Sequence, residues 1–98
     1  MKKSIALRLA RELESGKWRK AKGQLGRGKK CRCCLGVLQE VAPKRLQKSP
    51  LVRSFPSGEV CAWADMGSYL EGRLAWANDE TSGWAETIKL LRDPANHT

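Results

Sequence analysis

Apolar residues recur four apart at Ile5, Leu9 and Leu13, with Ala6 and Ala10 beside them, and this period predicts an amphipathic helix over about 4–14. Ser4 stands where an N-cap is expected, and Ser15-Gly16 supplies the stop, glycine being suited to the left-handed position after a helix. From Lys17 to Lys22 a short strand would place Trp18 and Lys20 on one side and Arg19 and Ala21 on the other. Gly23, Gly26 and Gly28 make the rest of 17–32 a loop, since each glycine costs about 1 kcal/mol in a helix. A continuous apolar run, Cys33 to Leu38, then opens a second helix over about 33–42, ended by Pro43. Its buried side should hold Cys34, Leu35, Val37, Leu38 and Val41, and Gly36 in its middle marks the close approach of another backbone. The segments LVRSF, EVCAW and RLAWA read as short strands within 51–77, with turns at Pro56-Ser57-Gly58 and Asn78-Asp79-Glu80. Trp84, Ile88 and Leu91 predict a last helix over about 83–92, after which Ala95 to Thr98 should fray. Taken together, the pattern describes one α+β domain spanning 1–98, with two or three helices packed on a small antiparallel sheet.

Charge changes that picture by giving the domain two unlike halves. The chain of 98 residues carries a net charge of +9. Residues 1–54 hold sixteen Lys/Arg against three acids, and residues 55–98 hold three against seven. The segment 17–32 contains Lys17, Arg19, Lys20, Lys22, Arg27, Lys29, Lys30 and Arg32 without one acid, and Lys44, Arg45 and Lys48 follow. A cation-dense, glycine-punctuated segment set against a core element is the footprint expected of a polyanion binder. The plainer reading is a solvated basic surface. No stretch approaches the ~20 apolar residues of a membrane span. Arg8, Arg11, Glu12 and Glu14 interrupt what would have to be the apolar part of a leader at MKKSIALRLARELESG, so a cytosolic protein without a membrane partner is expected.

The reactive side chains narrow the chemistry. Cys31, Cys33, Cys34 and Cys61 lack the paired spacing of a zinc site, and the one histidine is His97, so packed or loop thiols, no metal and no cofactor are expected. Cations flank Cys31 and Cys33, yet no base stands within reach in the sequence pattern, which argues against an enzyme. GQLGRGKK has the first spacing of a phosphate loop, but Lys30 stands where the magnesium-binding hydroxyl belongs, so nucleotide hydrolysis is excluded while phosphate binding is retained. Trp76 and Trp84 fall on core periodicities. Trp18, interleaved with Lys17, Arg19 and Lys20, could stack a base; pinning the first helix to the core is the slightly favoured alternative.

Trp18, Gly23-Gln24-Leu25, Cys33 to Leu38, and Leu74 to Asp79 with the helix from Trp84 carry a resemblance across most of the chain. In these motifs and their order the sequence resembles a family of small bacteriophage and prophage proteins of unassigned function. It departs at Trp84, where phenylalanine is expected, and from Lys44 to Gly72. The resemblance implies a phage accessory protein made in the bacterial cytosol, and brings no catalytic residue with it.

The expectation is therefore a non-enzymatic binding protein that engages nucleic acid or an anionic nucleotide. The residues expected to do so are Lys17, Trp18, Arg19, Lys20, Lys22, Arg27, Lys29, Lys30, Arg32, Lys44, Arg45 and Lys48. Antagonism of a bacterial defence system is the role that phage analogy offers. The alternative is an inhibitor that docks on a host protein with an acidic surface; homo-oligomerisation stays open.

Overall fold

The computed structural model describes all 98 residues. Helix α1 (Lys3–Glu14) leads into a three-stranded sheet made of β1 (Arg19–Lys20), β2 (Gly26–Arg27) and β3 (Cys31–Arg32). Helix α2 (Cys34–Val41) follows, then a 3-10 turn at Lys44–Leu46, α3 (Gly58–Ala64), α4 (Ser68–Glu80), α5 (Ala85–Arg92) and a 3-10 turn at Pro94–Asn96. The class is α+β as expected, but with five α-helices rather than two or three. The sheet is mixed rather than antiparallel: β3 lies in the middle, parallel to β1 and antiparallel to β2.

Helix α1 buries Ile5, Ala6, Leu9, Ala10 and Leu13, the stripe its period dictates. Gly16 takes the left-handed conformation after it, at φ 78°. Ser4 is not the cap; Lys2 precedes the helix, and no side chain caps it. Helix α2 is the centre of the molecule. Cys34 through Gln39 are all buried, because α1 packs on one side of α2 and α4 on another. Its N-cap is Cys33, whose Sγ accepts from Gly36 N at 3.3 Å. A Cβ at Gly36 would lie 2.0 Å from the Leu25 carbonyl oxygen, so this helix touches the glycine-rich segment backbone to backbone.

The three strands expected within 51–77 are absent. Leu51 to Phe55 forms turns and bends, although Leu25 N and Gly26 N donate to Arg53 O and Leu51 O at 2.7 and 3.1 Å and so cover the open edge of β2. Val60 and Ala64 are buried by α3, which Ser57 caps by accepting from Val60 N. Arg73 to Ala77 lies inside α4, whose buried residues Leu70, Leu74, Ala77 and Asn78 have helical spacing. A strand would have put Leu74 and Trp76 on one face. The helix sets them about 200° apart and turns Trp76, expected in the core, out to solvent at 58% exposure.

The last residues dock instead of fraying. The Met1 amino group donates to Asn96 O, Thr98 N to Met1 O, and Asn96 Nδ2 to Leu90 O. No helix is long and apolar enough to cross a membrane.

Candidate functional site

Strand register sorts the cations of 17–32 onto two faces. Directly paired residues of neighbouring strands point to the same side of a sheet. Arg19, Cys31 and Arg27 form one such row, and Lys20, Arg32 and Gly26 form the other. The second row faces inward. Arg32 is 7% exposed; its Nε meets Glu40 Oε1 at 3.0 Å, and a terminal nitrogen donates to Gly28 O and Cys31 O. Gly26 is required beside it, since a Cβ there would lie 2.5 Å from Arg32 Cδ. Lys20 donates to Thr81 O at 2.5 Å and Gly83 O at 2.7 Å, and its ammonium sits 5.5 Å from the Trp84 ring centre. Burial, with the charge of Lys22 behind it, lowers the Lys20 pKa.

Three of the residues expected to bind an anion are thereby committed to the fold. Arg32 is neutralised within the core, and Lys20 ties β1 to the turn before α5. Trp18, only 9% exposed, donates from Nε1 to Glu12 Oε1 at 3.0 Å, and Lys17, Lys30 and Arg32 approach its ring at 5.3–5.6 Å. It pins α1, and little of its ring is left open to a base. Lys17 pairs with Glu12 at 3.5 Å and Lys48 with Glu59 at 3.1 Å, both at the surface.

The outer row is different. Arg19 and Arg27 are exposed, stand two strand spacings apart, and form no ion pair within the chain. They flank Cys31 in an open recess of about 450 Å3 shared with Lys20 and Gly28. A second recess of about 410 Å3 gathers Lys17, Lys29 and Lys30 with Arg8, which the sequence reading left out; Glu12 and Glu40 lie on its wall. Lys22 is exposed on the glycine loop, while Lys44 and Arg45 are exposed on the 3-10 turn and line neither recess. The largest concavity, about 720 Å3, is merely the inside of the 48–58 loop and gathers one continuous segment.

A smaller cavity of about 220 Å3 brings together the motif segments that lie far apart in sequence: Gly23-Gln24, Cys33-Cys34-Leu35 and Asn78-Asp79, closed by Ser54, Phe55 and Ala75. Asn78 is its structural knot. Its Oδ1 accepts from Cys34 N at 2.9 Å, while its Nδ2 donates to Ala21 O and Asp79 Oδ1. Asp79 Oδ1 also accepts from Gly23 N at 3.1 Å, which moors the loop to α4. Sequence reasoning treated Asn78-Asp79 as a turn and so missed this wall of the cavity; the signal was the buried-face spacing of Leu70, Leu74 and Asn78.

The thiols divide in the same way as the cations. Burial pushes Cys33 up and Cys34 well up in pKa. Burial and the hydrogen bond to Glu71 Oε2 push Cys61 up to about 12. Cys31 alone lies on the outer row, partly exposed. No three His, Cys, Asp or Glu side chains converge in a way that could hold a metal ion. Comparison with protein-family models, curated proteins and solved structures finds no match to the chain.

Proposed function

We propose that this chain is a non-enzymatic binding protein that engages a polyanion, nucleic acid or a phosphate-bearing nucleotide, on the outer face of its small sheet. The observation that carries the reading is the row Arg19–Cys31–Arg27: two guanidiniums in register, with no acid in 17–32 and no internal partner. An arginine fork matches phosphate oxygens, and unpaired cations held on neighbouring strands keep their charge for a ligand. Lys22, Lys29, Lys30, Lys44 and Arg45 extend the positive surface. The motif resemblance to small phage proteins supports reading such binding as an event in an infected bacterium, where occupying a nucleic acid or nucleotide would antagonise a defence system.

The test is fluorescence anisotropy of a labelled single-stranded oligonucleotide across a salt series. Log affinity should fall linearly with log salt, with a slope of about −0.7 for each phosphate neutralised. Arg19→Ala/Arg27→Ala should flatten the slope by about one to two phosphates' worth. A salt-independent affinity, or none at low salt, overturns the reading.

One feature of the surface favours a second reading, docking on a host protein. Tyr69 and Trp76, 75% and 58% exposed, share the outer side of α4 with Arg73, whose guanidinium lies 5.8 Å from the Tyr69 ring. Exposed aromatics of this kind are enriched at protein interfaces. A single host protein retained after nuclease treatment, and lost in Trp76→Ala, would support this reading over the first.

A further inference from the structure

We propose that the cavity under Phe55 takes one nucleobase that presents adjacent N–H donors, guanine best, while its sugar and phosphate stay outside on the basic surface. The proposal rests on the polyanion reading and names what that ligand carries besides phosphate. At about 220 Å3 the cavity falls below the ~300 Å3 at which pockets for drug-sized molecules begin, so it admits a single ring system and not a whole nucleotide. Its wall is half apolar, and Phe55 both lines it and stays 46% exposed, which puts an aromatic ring at the mouth where a flat base can stack.

Two polar side chains along the cavity, Asp79 and Gln24, each keep an acceptor oxygen that no group of the chain uses. Asp79 uses Oδ1 for Gly23 N and Asn78 Nδ2, which leaves its second carboxylate oxygen for a ligand. Gln24 spends Nε2 on Gly26 O at 2.7 Å, which leaves its amide oxygen. Two acceptors call for two donors side by side on the ligand, and guanine is the common base with that edge. Uracil has one ring N–H between two carbonyl oxygens and meets the same acceptors with like polarity. Cations stand at the cavity's edges in sequence: Lys22 precedes Gly23, and Arg53 precedes Ser54, both exposed. They can hold the phosphate of a base whose ring is inside. A carboxylate in a pocket of a strongly basic protein would otherwise repel the ligand that the rest of the surface attracts; a donor-edged base resolves that conflict.

The test uses the whole chain at low salt, with calorimetry of guanosine 5′-monophosphate, uridine 5′-monophosphate and ribose 5-phosphate. Guanosine monophosphate should bind about tenfold more tightly than either of the others. Phe55→Ala should remove its advantage over ribose 5-phosphate with Tm unchanged, because the ring is at the mouth. Asp79→Asn keeps the Oδ1 acceptor for Gly23 and turns the free oxygen into an N–H2 donor, so it should abolish the preference for guanine over uracil. An oligonucleotide set against its abasic counterpart asks whether the base comes from a free nucleotide or from a strand; loss of affinity in the abasic strand assigns the strand. Equal binding of all three small probes overturns the base pocket and leaves the polyanion reading standing. Guanosine 5′-monophosphate that binds no more tightly than unphosphorylated guanosine, at an affinity that ignores salt, keeps the pocket and sinks the polyanion reading.

Discussion

The two faces of the three-stranded sheet come from the same six residues, yet one face is spent on the fold and the other is left to solvent. On the inner face the Arg32 guanidinium is paired with the Glu40 carboxylate, and the Lys20 ammonium is tied to two backbone carbonyls. On the outer face Arg19 and Arg27 meet nothing of the chain's own. A count of cations treats all four alike. Register separates them, because successive residues of a strand point to opposite sides and a step of one residue moves a charge from surface to core.

The harshest way to break that distinction is to lift the sheet off its support. Gly36→Ala would place a methyl group 2.0 Å from Leu25 O, against backbone that also accepts from Cys33 N at 2.9 Å. Alanine ordinarily gains about 1 kcal/mol over glycine inside a helix. Here the clash outweighs that gain, and a loss of about 3 kcal/mol is expected, at the upper end of overpacking costs. For a domain with a total stability of about 5–15 kcal/mol this is severe. Urea denaturation measures it; an unchanged or raised midpoint would show that the close approach of α2 to the loop is not real.

A direct comparison of the faces comes from single arginines. Arg32→Ala should cost about 2 kcal/mol, since it removes packing against Trp18 and hydrogen bonds to Glu40, Gly28 O and Cys31 O. Glu40 is a third exposed and can rehydrate, which keeps the cost below that of a fully buried pair. Arg19→Ala and Arg27→Ala should each change stability by less than about 0.5 kcal/mol while weakening oligonucleotide binding. Thermal melts and anisotropy on the same samples read both effects. If Arg32→Ala melted with the parent, the inner row would have to be reassigned to ligand binding.

Much of this was legible in the sequence, and the misses have physical causes. The period of Ile5, Leu9 and Leu13 placed α1, and Gly36 announced the backbone contact it makes. Within α4, Arg73 to Ala77 reads as a strand because Leu74 and Trp76 alternate, a pattern that Leu70, Leu74 and Asn78 contradict only over a longer window. For Trp18 the slightly favoured reading, pinning the first helix, agrees with its bond to Glu12. Arg32 reads as a ligand contact because charge can be read from one residue, whereas its pairing with Glu40 depends on how distant elements meet. The cavity was invisible for the same reason. Its three wall segments stood out as motifs, but only the fold brings residues 23, 34 and 78 together.

The smallest effect is also the most local reporter of the outer face, because that face alone carries a thiol, Cys31. At pH 8 a thiol reagent should modify Cys31 first, since it is the partly exposed member of the outer row. Cys33 and Cys34 are buried with raised pKa values, and Cys61, pushed up to about 12, stays protonated beside Glu71. The thiolate is the reacting form, so these three should label only as the protein unfolds. The sign for stability follows from the same shift. Below the ordinary thiol pKa of 9.0 the protonated Cys61 favours the fold in full, and that contribution declines as pH rises from there through about 12. Mass spectrometry of peptides after brief alkylation gives the order, and a saturating oligonucleotide should then slow the labelling of Cys31 alone. Protection of Cys31 by the ligand would place the anion between Arg19 and Arg27; equal labelling with and without it would move the binding face elsewhere on the molecule.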